Sequence, residues 1–225
     1  MVAVAFLCSG GGGNLRLIHS LVERGALPGV SICGVITDRE CGALGWARAH
    51  GIAARQVTYT RAQPGPLRDV LHQLVPDLVV TTIHKILDDE LLAAYEGRTV
   101  NLHYSLLPAF GGSIGMEPVR QALGKGCRVI GATAHRVTSE LDGGPILAQA
   151  CIATRPAMPD SALHDAVFRC GAVALLAAID GLLAPSLQQP GTLLHAGQVE
   201  ILANPCPRPA VCEAIQRQDF WEALR

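Results

Sequence analysis

The opening of the chain most constrains its fold: an unbroken apolar run, Val2–Cys8, leads directly into residues 9–14, Ser-Gly-Gly-Gly-Gly-Asn. Such a run is typical of a central parallel strand buried on both faces. Apolar residues at helical spacing follow over residues 15–24, and strand and helix candidates then alternate up to residue 103. Because this rhythm indicates βαβ units, we predict an α/β fold, a Rossmann-like open, mostly parallel sheet with helices on both faces.

Hydrophobic periodicity and turn residues predict the other elements. We expect further strands at 31–37, 78–83, 98–103, 127–136 and 146–154, and helices at 42–50, 68–75, 88–95, 117–123 and 163–183. No domain boundary is evident before residue 185. We therefore predict one domain over residues 1–184 and a C-terminal extension over 185–225, which contains a hairpin at 193–202 and a short helix near Phe220.

Composition excludes several classes of protein. Hydrophobic residues make up 49% of the 225 residues and charged residues 16%, which excludes a disordered chain. A net charge of −1 and 4% aromatic residues give no basis for binding nucleic acid. The eight cysteines are scattered without a CxxC pair, so we expect neither a disulfide scaffold nor a metal site.

The sequence shows no targeting or membrane signal. The N-terminus is apolar but lacks the basic start of a signal peptide. No apolar run is expected to reach the length of a membrane span. We therefore predict a cytoplasmic protein without membrane contact.

Residues 9–14 are the first candidate binding site. Glycines after a strand let backbone N–H groups approach a ligand closely, and the N-terminus of the next helix favours an anion. The spacing fits neither the dinucleotide-binding pattern nor a P-loop. Tight packing of the turn is one interpretation and binding of a phosphate or carboxylate is the other; the position at the edge of a parallel sheet favours binding.

Two further segments contain residue types suited to catalysis. Asn101 and His103 lie two positions apart on a predicted strand, hence on one face, where an amide and an imidazole could stabilise an oxyanion and handle a proton. Asp142 precedes two glycines on a predicted exposed turn. Taken singly, a turn asparagine, a core histidine and a solvated carboxylate are the better interpretations. Together, they make Asp142 a candidate to orient His103.

The three segments in this order resemble the formyltransferases that use 10-formyltetrahydrofolate, and most of all the branch that formylates glycinamide ribonucleotide in purine synthesis. The family's Ser-Gly-rich-Asn loop is matched by residues 9–14. Its Asn-x-His-Pro-Ser-Leu-Leu-Pro motif is matched by residues 101–108, with Tyr104 in place of the first proline, and its Glu-Leu-Asp-x-Gly-Pro-Ile motif by residues 140–146. Motifs that agree in order are far more specific than any one alone.

The resemblance implies a role for each matched residue. Asn101, His103 and Asp142 would be catalytic, with Asn101 and a protonated His103 stabilising the oxyanion that forms when an amine attacks the formyl carbon. The folate would be held by Lys85, Ile86, Leu87, Arg136, Val137, Thr138, Glu140 and Leu141. The acceptor would be held by Gly10, Gly11, Gly12, Gly13, Asn14 and Tyr104.

The resemblance also implies the partners. The co-substrate would be 10-formyltetrahydrofolate, and no metal is implied. We expect a small-molecule amine and folate as partners, with no nucleic acid, no membrane and a homodimer as the candidate assembly.

Departures from the purine-synthesis pattern gather on the predicted acceptor side. Gly13 stands where a serine would assist a phosphate, residues 111–116 lengthen a loop, and Gly171 lies near the position of a substrate-gripping glutamate. These departures predict an amino sugar or a specialised biosynthetic amine as the acceptor, with weak activity on glycinamide ribonucleotide. Glycinamide ribonucleotide itself is the alternative.

Functions of other classes are weaker matches. A formyl-methionyl-tRNA enzyme would add a basic RNA-binding domain and a formyltetrahydrofolate hydrolase an N-terminal regulatory domain, so neither is expected. A catalytically inactive folate- or phosphate-binding module would not need all three catalytic residues. A serine hydrolase built on Ser105, His103 and Asp142 would lack the Gly-x-Ser-x-Gly elbow.

Overall fold

The computed structural model of the chain describes residues 1–155, 158–187 and 189–224, and it divides into two compact units. The first unit comprises residues 1–101 and 136–141; the second comprises 102–135 and 142–225. Gln188 and Arg225, which belong to the predicted C-terminal extension, lie outside the described residues.

The first unit is a parallel sheet interleaved with helices. Its elements are β1 (Val2–Cys8), α1 (Gly13–Glu23), β2 (Val30–Thr37), α2 (Gly42–Ala49), β3 (Ala54–Gln56), α3 (Gly65–Leu74), β4 (Leu78–Thr82), α4 (Asp89–Ala94) and β5 (Thr99–His103). The strands lie in the order β3-β2-β1-β4-β5, and every pair is parallel. From Val4 onwards β1 is at most 2% exposed, as expected of a central strand.

The register of the parallel strands places their carboxyl ends at one edge of this sheet. Cys8 pairs with Thr82 of β4, and Asn101 of β5 pairs with Thr81. The segments that follow β1 and β4 therefore start from the same edge, which is where open parallel sheets bind ligands. The last two residues of β5 belong to the second unit.

The second unit is built around antiparallel strands and one long helix. Its elements are α5 (Glu117–Gly124), β6 (Val129–Arg136), β7 (Ile146–Ala153), α6 (Asp160–Leu183), a 3-10 turn (Pro185–Leu187), β8 (Thr192–Ala196), β9 (Val199–Asn204), α7 (Pro209–Gln216) and α8 (Gln218–Glu222). The strand order is β6-β7-β9-β8, with antiparallel pairing throughout. Arg136, the last residue of β6, belongs to the first unit.

The predicted α/β fold class is confirmed, since the described strands form a mixed, mostly parallel sheet with helices. The predicted C-terminal hairpin is present as β8 and β9. Among the described residues, sequence patterns missed one strand and one α-helix. β3 has only three residues, of which Arg55 and Gln56 are exposed, so no periodicity marks it; it forms by pairing with the end of β2. α7 begins at Pro209, a residue that favours the first turn of a helix but resembles a break in the sequence.

The expectation that no apolar run reaches the length of a membrane span is wrong for α6. This helix has 24 residues and is apolar enough to cross a bilayer. Its side chains from Ala172 to Ile179 are at most 1% exposed, however, and it packs against β7 and β9. Burial inside the second unit therefore accounts for its composition.

Buried charges join the C-terminal segment to α6. Asp180 is fully buried and accepts hydrogen bonds from the backbone N–H of Arg208 at 2.7 Å and from its Nε at 2.6 Å. Arg169 is 2% exposed and donates at 2.9 Å to the Ala196 carbonyl and to the Gln218 side chain. Residues beyond 185 thus pack into the second unit. The division into a domain over residues 1–184 and a C-terminal extension stays a prediction.

We expect Asp180→Ala to lower the free energy of unfolding by about 3–5 kcal/mol, because it leaves the Arg208 guanidinium buried without its partner. Arg217→Ala is the control, since the Arg217–Asp219 pair is exposed and its loss should cost at most about 1 kcal/mol. Urea denaturation measures both changes. Equal losses of stability in the two variants would contradict this account of the buried pair.

Candidate active site

Ser9 anchors the glycine loop, residues 9–14, at the edge of the parallel sheet. Its buried hydroxyl donates to the Asp38 carboxylate at 2.8 Å and accepts from the His84 N–H at 2.9 Å. Burial raises the pKa of Asp38, but hydrogen bonds from Arg39 and Ser9 outweigh it, and the pKa lies below its usual value. The segments after β1, β2 and β4 are therefore tied together by one hydroxyl.

The glycines of this loop differ in the space available for a side chain. Gly12 has φ +74°, and an added Cβ would lie 2.8 Å from the Cβ of Ala43, so the turn requires glycine there. Gly10 and Gly11 are exposed, and a Cβ at either would meet nothing within 4 Å. Tight packing therefore explains Gly12, whereas Gly10 and Gly11 leave open space beside the backbone.

Asn14 provides an unsatisfied polar group at the start of α1. The residue is 9% exposed, and its side-chain oxygen is buried without a hydrogen-bond partner among the residues that the structure describes. Such groups are rare in folded proteins. A hydroxyl or amine hydrogen of a bound molecule would satisfy this acceptor. Gly13 is the first residue of α1 itself.

The predicted folate residues after β4 differ in exposure. Lys85 is exposed, and so is the side chain of Ile86, at 53%. Leu87 is 3% exposed and belongs to the core of the first unit together with Leu91. Leu87 therefore fixes the segment, whereas Lys85 and Ile86 present side chains at the surface.

The second predicted folate segment, residues 136–141, also combines residues fixed in the core with residues exposed at the surface. Val137 packs against the core of the first unit, and its N–H donates to the Thr99 carbonyl at 2.9 Å. Arg136 lies beside Gly97, with Nη1 3.7 Å from the position of an added Cβ. Thr138, Glu140 and Leu141 are exposed, Leu141 at 60%.

In the second unit, both ring nitrogens of His103 face oxygen atoms. Nδ1 is 3.3 Å from Oδ2 of Asp142, and Nε2 is 3.0 Å from the carbonyl oxygen of Phe110. The residue is only 6% exposed. Each ring nitrogen of His103 therefore has an oxygen acceptor within reach. The structure thus brings His103 and Asp142 together, and Asn101 lies on the same strand two residues earlier.

Asp142 gathers several donors around one carboxylate. Its Oδ2 accepts from the Gly112 N–H at 2.8 Å, and Oδ1 lies 3.6 Å from Nε2 of His135. The nearby His135 imidazole lowers the pKa of Asp142 most; burial opposes this, and the Gly112 N–H and the His103 charge add to the lowering. The net pKa lies below the ordinary value, so the side chain is a carboxylate near neutral pH.

The sequence interpretation missed His135 and Phe110, and it placed Gly112 only in a lengthened loop on the acceptor side. His135 is 2% exposed on β6. The available signal was a lone imidazole near the end of a mostly apolar strand, close in sequence to Asp142. Phe110 and Gly112 act through backbone groups, which no side-chain motif can reveal.

Ser105 does not serve as a nucleophile in this arrangement. Its hydroxyl donates to the Ala109 carbonyl at 2.5 Å, and the residue is 4% exposed. Thr133 accepts from the Leu107 N–H at 3.0 Å and donates to the Ser105 carbonyl at 2.7 Å. These hydrogen bonds fix the conformation of the segment after β5. Because the Ser105 hydroxyl makes one of them, the serine hydrolase alternative loses its support.

Tyr104 and Gly171, two of the departures from the family pattern, pack against each other. A Cβ at Gly171 would lie 2.6 Å from Cε1 of Tyr104, so the ring rests against the backbone of α6 where only glycine leaves room. Gly171 is buried. The expectation that Gly171 lines an acceptor pocket is therefore wrong, because the tyrosine ring covers it.

The comparisons with known proteins agree with the motifs. The model of the formyl transferase family matches residues 2–179. The chain belongs to the formyl transferase family. It is 35% identical over 158 residues to the chloroplastic phosphoribosylglycinamide formyltransferase of Arabidopsis thaliana, which covers 66% of this chain and 54% of that protein. The chain thus spans about half the length of this relative.

Two further proteins are similar to this chain, one in sequence and one in structure. The formyltetrahydrofolate deformylase of Haemophilus influenzae is 42% identical over 84 residues, 37% of this chain and 29% of that protein. Glycinamide ribonucleotide transformylase 1 of Symbiobacterium toebii has a similar structure, with a TM-score of 0.69 and 32% identity, covering 76% of this chain and 82% of that one. Within the described residues of this family member, no group of three or more His, Cys, Asp or Glu side chains could hold a metal ion.

We expect Gly12→Ala to lower the free energy of unfolding by about 1–2 kcal/mol or more, because alanine is strained at this left-handed position and would press on Ala43. Gly11→Ala should stay within about 0.5 kcal/mol of the parent, because its Cβ points into open space. Chemical denaturation compares the two variants. A loss in Gly11→Ala equal to that in Gly12→Ala would show that the space beside Gly11 is not open.

Proposed function

We propose that this protein transfers the formyl group of 10-formyltetrahydrofolate to the primary amine of a small acceptor. The observation that carries the proposal is the buried His103–Asp142 pair, in which a carboxylate holds one nitrogen of an imidazole whose other nitrogen also faces an acceptor. Membership of the formyl transferase family supports the reaction class. Folate and a small-molecule amine as partners, and a cytoplasmic location, are parts of the same proposal.

The chemistry needs charge stabilisation and one proton transfer. The amine nitrogen attacks the formyl carbon, and the carbonyl electrons move to oxygen. The Nε2–H of His103 is the donor that we assign to that oxyanion, since Asp142 occupies Nδ1. The oxyanion would then replace the Phe110 carbonyl, which faces Nε2 in this structure, as the acceptor. By the family resemblance, the Asn101 amide is a second donor. When the carbon–N10 bond breaks, its electrons return to N10, and the proton lost by the amine completes tetrahydrofolate.

Asp142 supports this step in two ways. Its carboxylate stabilises the positive charge on His103, and its low pKa keeps it ionised while the amine loses its proton. We infer that it relays this proton through water. Its φ of +53° aims the side chain from a left-handed turn that aspartate tolerates better than most residues.

The predicted folate segments fit an aromatic, partly apolar ligand. Ile86 and Leu141, each more than half exposed, present apolar side chains on segments whose neighbours Leu87 and Val137 are fixed in the core. Exposed apolar side chains on a held backbone are typical of binding surfaces. This is our reason for assigning residues 85–87 and 136–141 to 10-formyltetrahydrofolate.

For the acceptor we propose glycinamide ribonucleotide. The plant relative is named for this activity, and the Tyr104–Gly171 pair shows that two of the sequence departures are a packing exchange. Two observations support an acceptor site at the glycine loop: the open space at Gly10 and Gly11, and the Asn14 oxygen nearby in sequence, which has no partner within the described part of the chain. The expected amino sugar has no support from these relatives.

A different small amine is the second candidate. The longer loop, residues 111–116, favours this second candidate. Its Gly112 N–H donates a hydrogen bond to Asp142, so the loop contacts the catalytic carboxylate directly. Gly112 and Gly115 have φ of +81° and +63°, so its path depends on glycines. A changed loop at this point can change which amine is admitted.

We expect His103→Ala and Asp142→Asn each to lower kcat by roughly 10²–10⁴-fold while the dissociation constant for 10-formyltetrahydrofolate changes little, because both groups act on the transition state. Asparagine tolerates the left-handed backbone at 142, so that variant should fold. Ser105→Ala is the control and should keep its kcat within a few-fold. Near-parental turnover in either catalytic variant would refute the mechanism.

Release of tetrahydrofolate should require an amine, and glycinamide ribonucleotide should reach a kcat/KM of ~10⁴ M⁻¹ s⁻¹ or more, the ordinary range for metabolic enzymes. The measurement follows tetrahydrofolate absorbance with that acceptor, with glucosamine as an amino sugar, and without amine. A low value with glycinamide ribonucleotide but a high one with another amine would favour the second candidate. Equal release without any amine would indicate deformylase activity instead.

A further inference from the structure

A tyrosine hydroxyl lies under the predicted folate segment. Tyr59, between β3 and α3, is 2% exposed, and its hydroxyl donates to the carbonyl oxygen of Ile86 at 3.0 Å. The Tyr59 hydroxyl oxygen is also 3.4 Å from Oδ2 of Asp88. Burial and the Asp88 charge raise the pKa of Tyr59 to about 12, so the hydroxyl keeps its proton and acts as a donor.

Asp88 fixes the far end of this loop, residues 83–88. It is 4% exposed, and its Oδ1 accepts from the Leu91 N–H at 3.1 Å, which caps α4. The same Oδ1 accepts from Nε of Arg68 at 2.9 Å. The near end is held by the hydrogen bond from the His84 N–H to Ser9. The loop is thus anchored at both ends, and Tyr59 anchors its middle.

Because the peptide bond is planar, the hydrogen bond from Tyr59 fixes the orientation of the whole peptide group between Ile86 and Leu87. The carbonyl of Ile86 and the N–H of Leu87 belong to one trans peptide and point in opposite directions. When the Ile86 carbonyl points inward to Tyr59, the Leu87 N–H points the other way. The hydroxyl therefore sets the direction of a backbone group on a segment whose Lys85 and Ile86 side chains are exposed.

We propose that Tyr59 is a positioning residue that sets the conformation of residues 83–88 for binding of 10-formyltetrahydrofolate. The inference rests on the proposed function, which assigns this loop to the folate. A hydroxyl is not required for packing here: the ring lies in the apolar core of the first unit, where phenylalanine would fill the same space. Burying a hydroxyl costs free energy unless it is bonded, and the bond it makes is to this loop.

The molecule offers a matched control. Tyr95 packs against the same core, and its hydroxyl also donates to a backbone carbonyl, that of Leu71, at 3.1 Å. Tyr95→Phe and Tyr59→Phe therefore remove the same kind of hydrogen bond from the same unit. Only the Tyr59 bond reaches residues 83–88. A general loss of stability would appear in both variants, and a positioning effect only in Tyr59→Phe.

We expect Tyr59→Phe to raise the KM for 10-formyltetrahydrofolate about 3- to 10-fold, the effect of one lost hydrogen bond, with kcat and the amine KM within about twofold of the parent. Tyr95→Phe should leave all three values near the parent. In the ligand-free proteins, amide hydrogen exchange at residues 84–88 should be faster in Tyr59→Phe than in the parent and in Tyr95→Phe.

The outcomes separate this inference from the proposed function. If the parent protein turns over 10-formyltetrahydrofolate but Tyr59→Phe matches Tyr95→Phe in KM and in hydrogen exchange, the positioning role is wrong and the function stands. A fall in kcat without a change in the folate KM would also overturn it. If the parent releases no tetrahydrofolate with any amine tested, the proposed function fails, and this inference fails with it.

Discussion

A single buried carboxylate organises the chemistry of the second unit. Asp142 accepts hydrogen bonds from the backbone of the 111–116 loop and lies within ion-pair distance of two imidazoles, His103 and His135. A carboxylate that is taken out of water in this way must be compensated by donors, or it takes up a proton. The donors around Asp142 keep it ionised, and the carboxylate lies 3.3 Å from Nδ1 of His103. Removing any of these groups would leave the others with an unmatched charge or hydrogen bond.

In the first unit, the parallel sheet determines where a ligand can bind. Because the strands pair in parallel, the segments that follow β1, β2 and β4 start from one edge, and the Ser9 hydroxyl ties them together. The same edge combines tight and open positions. Gly12 is locked against Ala43 by packing, while its neighbours Gly10 and Gly11 leave backbone accessible. A rigid turn with open space beside its backbone is suited to binding a small ligand.

The C-terminal segment shows how polar groups can hold an apolar helix in place. α6 is apolar enough to cross a membrane, yet its charged residues Arg169 and Asp180 are buried and bonded to residues beyond 190. The hairpin β8–β9 pairs with β7 and covers α6 within the second unit. The apolar surface of the helix is thus buried by a segment that sequence patterns alone describe only as a tail.

Local patterns were sufficient for much of this protein. The apolar run of β1, the helical spacing of α1 and the hairpin near the C-terminus were predicted because strand and helix periodicities are written in consecutive residues. The three motifs identified the family, and His103 and Asp142, predicted as partners, are brought together within one unit. β3 was missed, because three residues carry no periodicity and its pairing with β2 provides the only reason for it to form.

Contacts between residues far apart in sequence were decided only by the tertiary structure. Tyr104 and Gly171 are two separate departures in the sequence, whereas in the structure the Tyr104 ring packs against Gly171. His135 and the Gly112 N–H join Asp142 through the pairing of β6 with β7 and the path of a glycine-dependent loop, and neither is encoded in a local motif. The sequence by itself determined which residue types are available at the strand ends. The tertiary structure decided which of them meet, because burial and hydrogen-bond satisfaction act across the whole core and not along the chain.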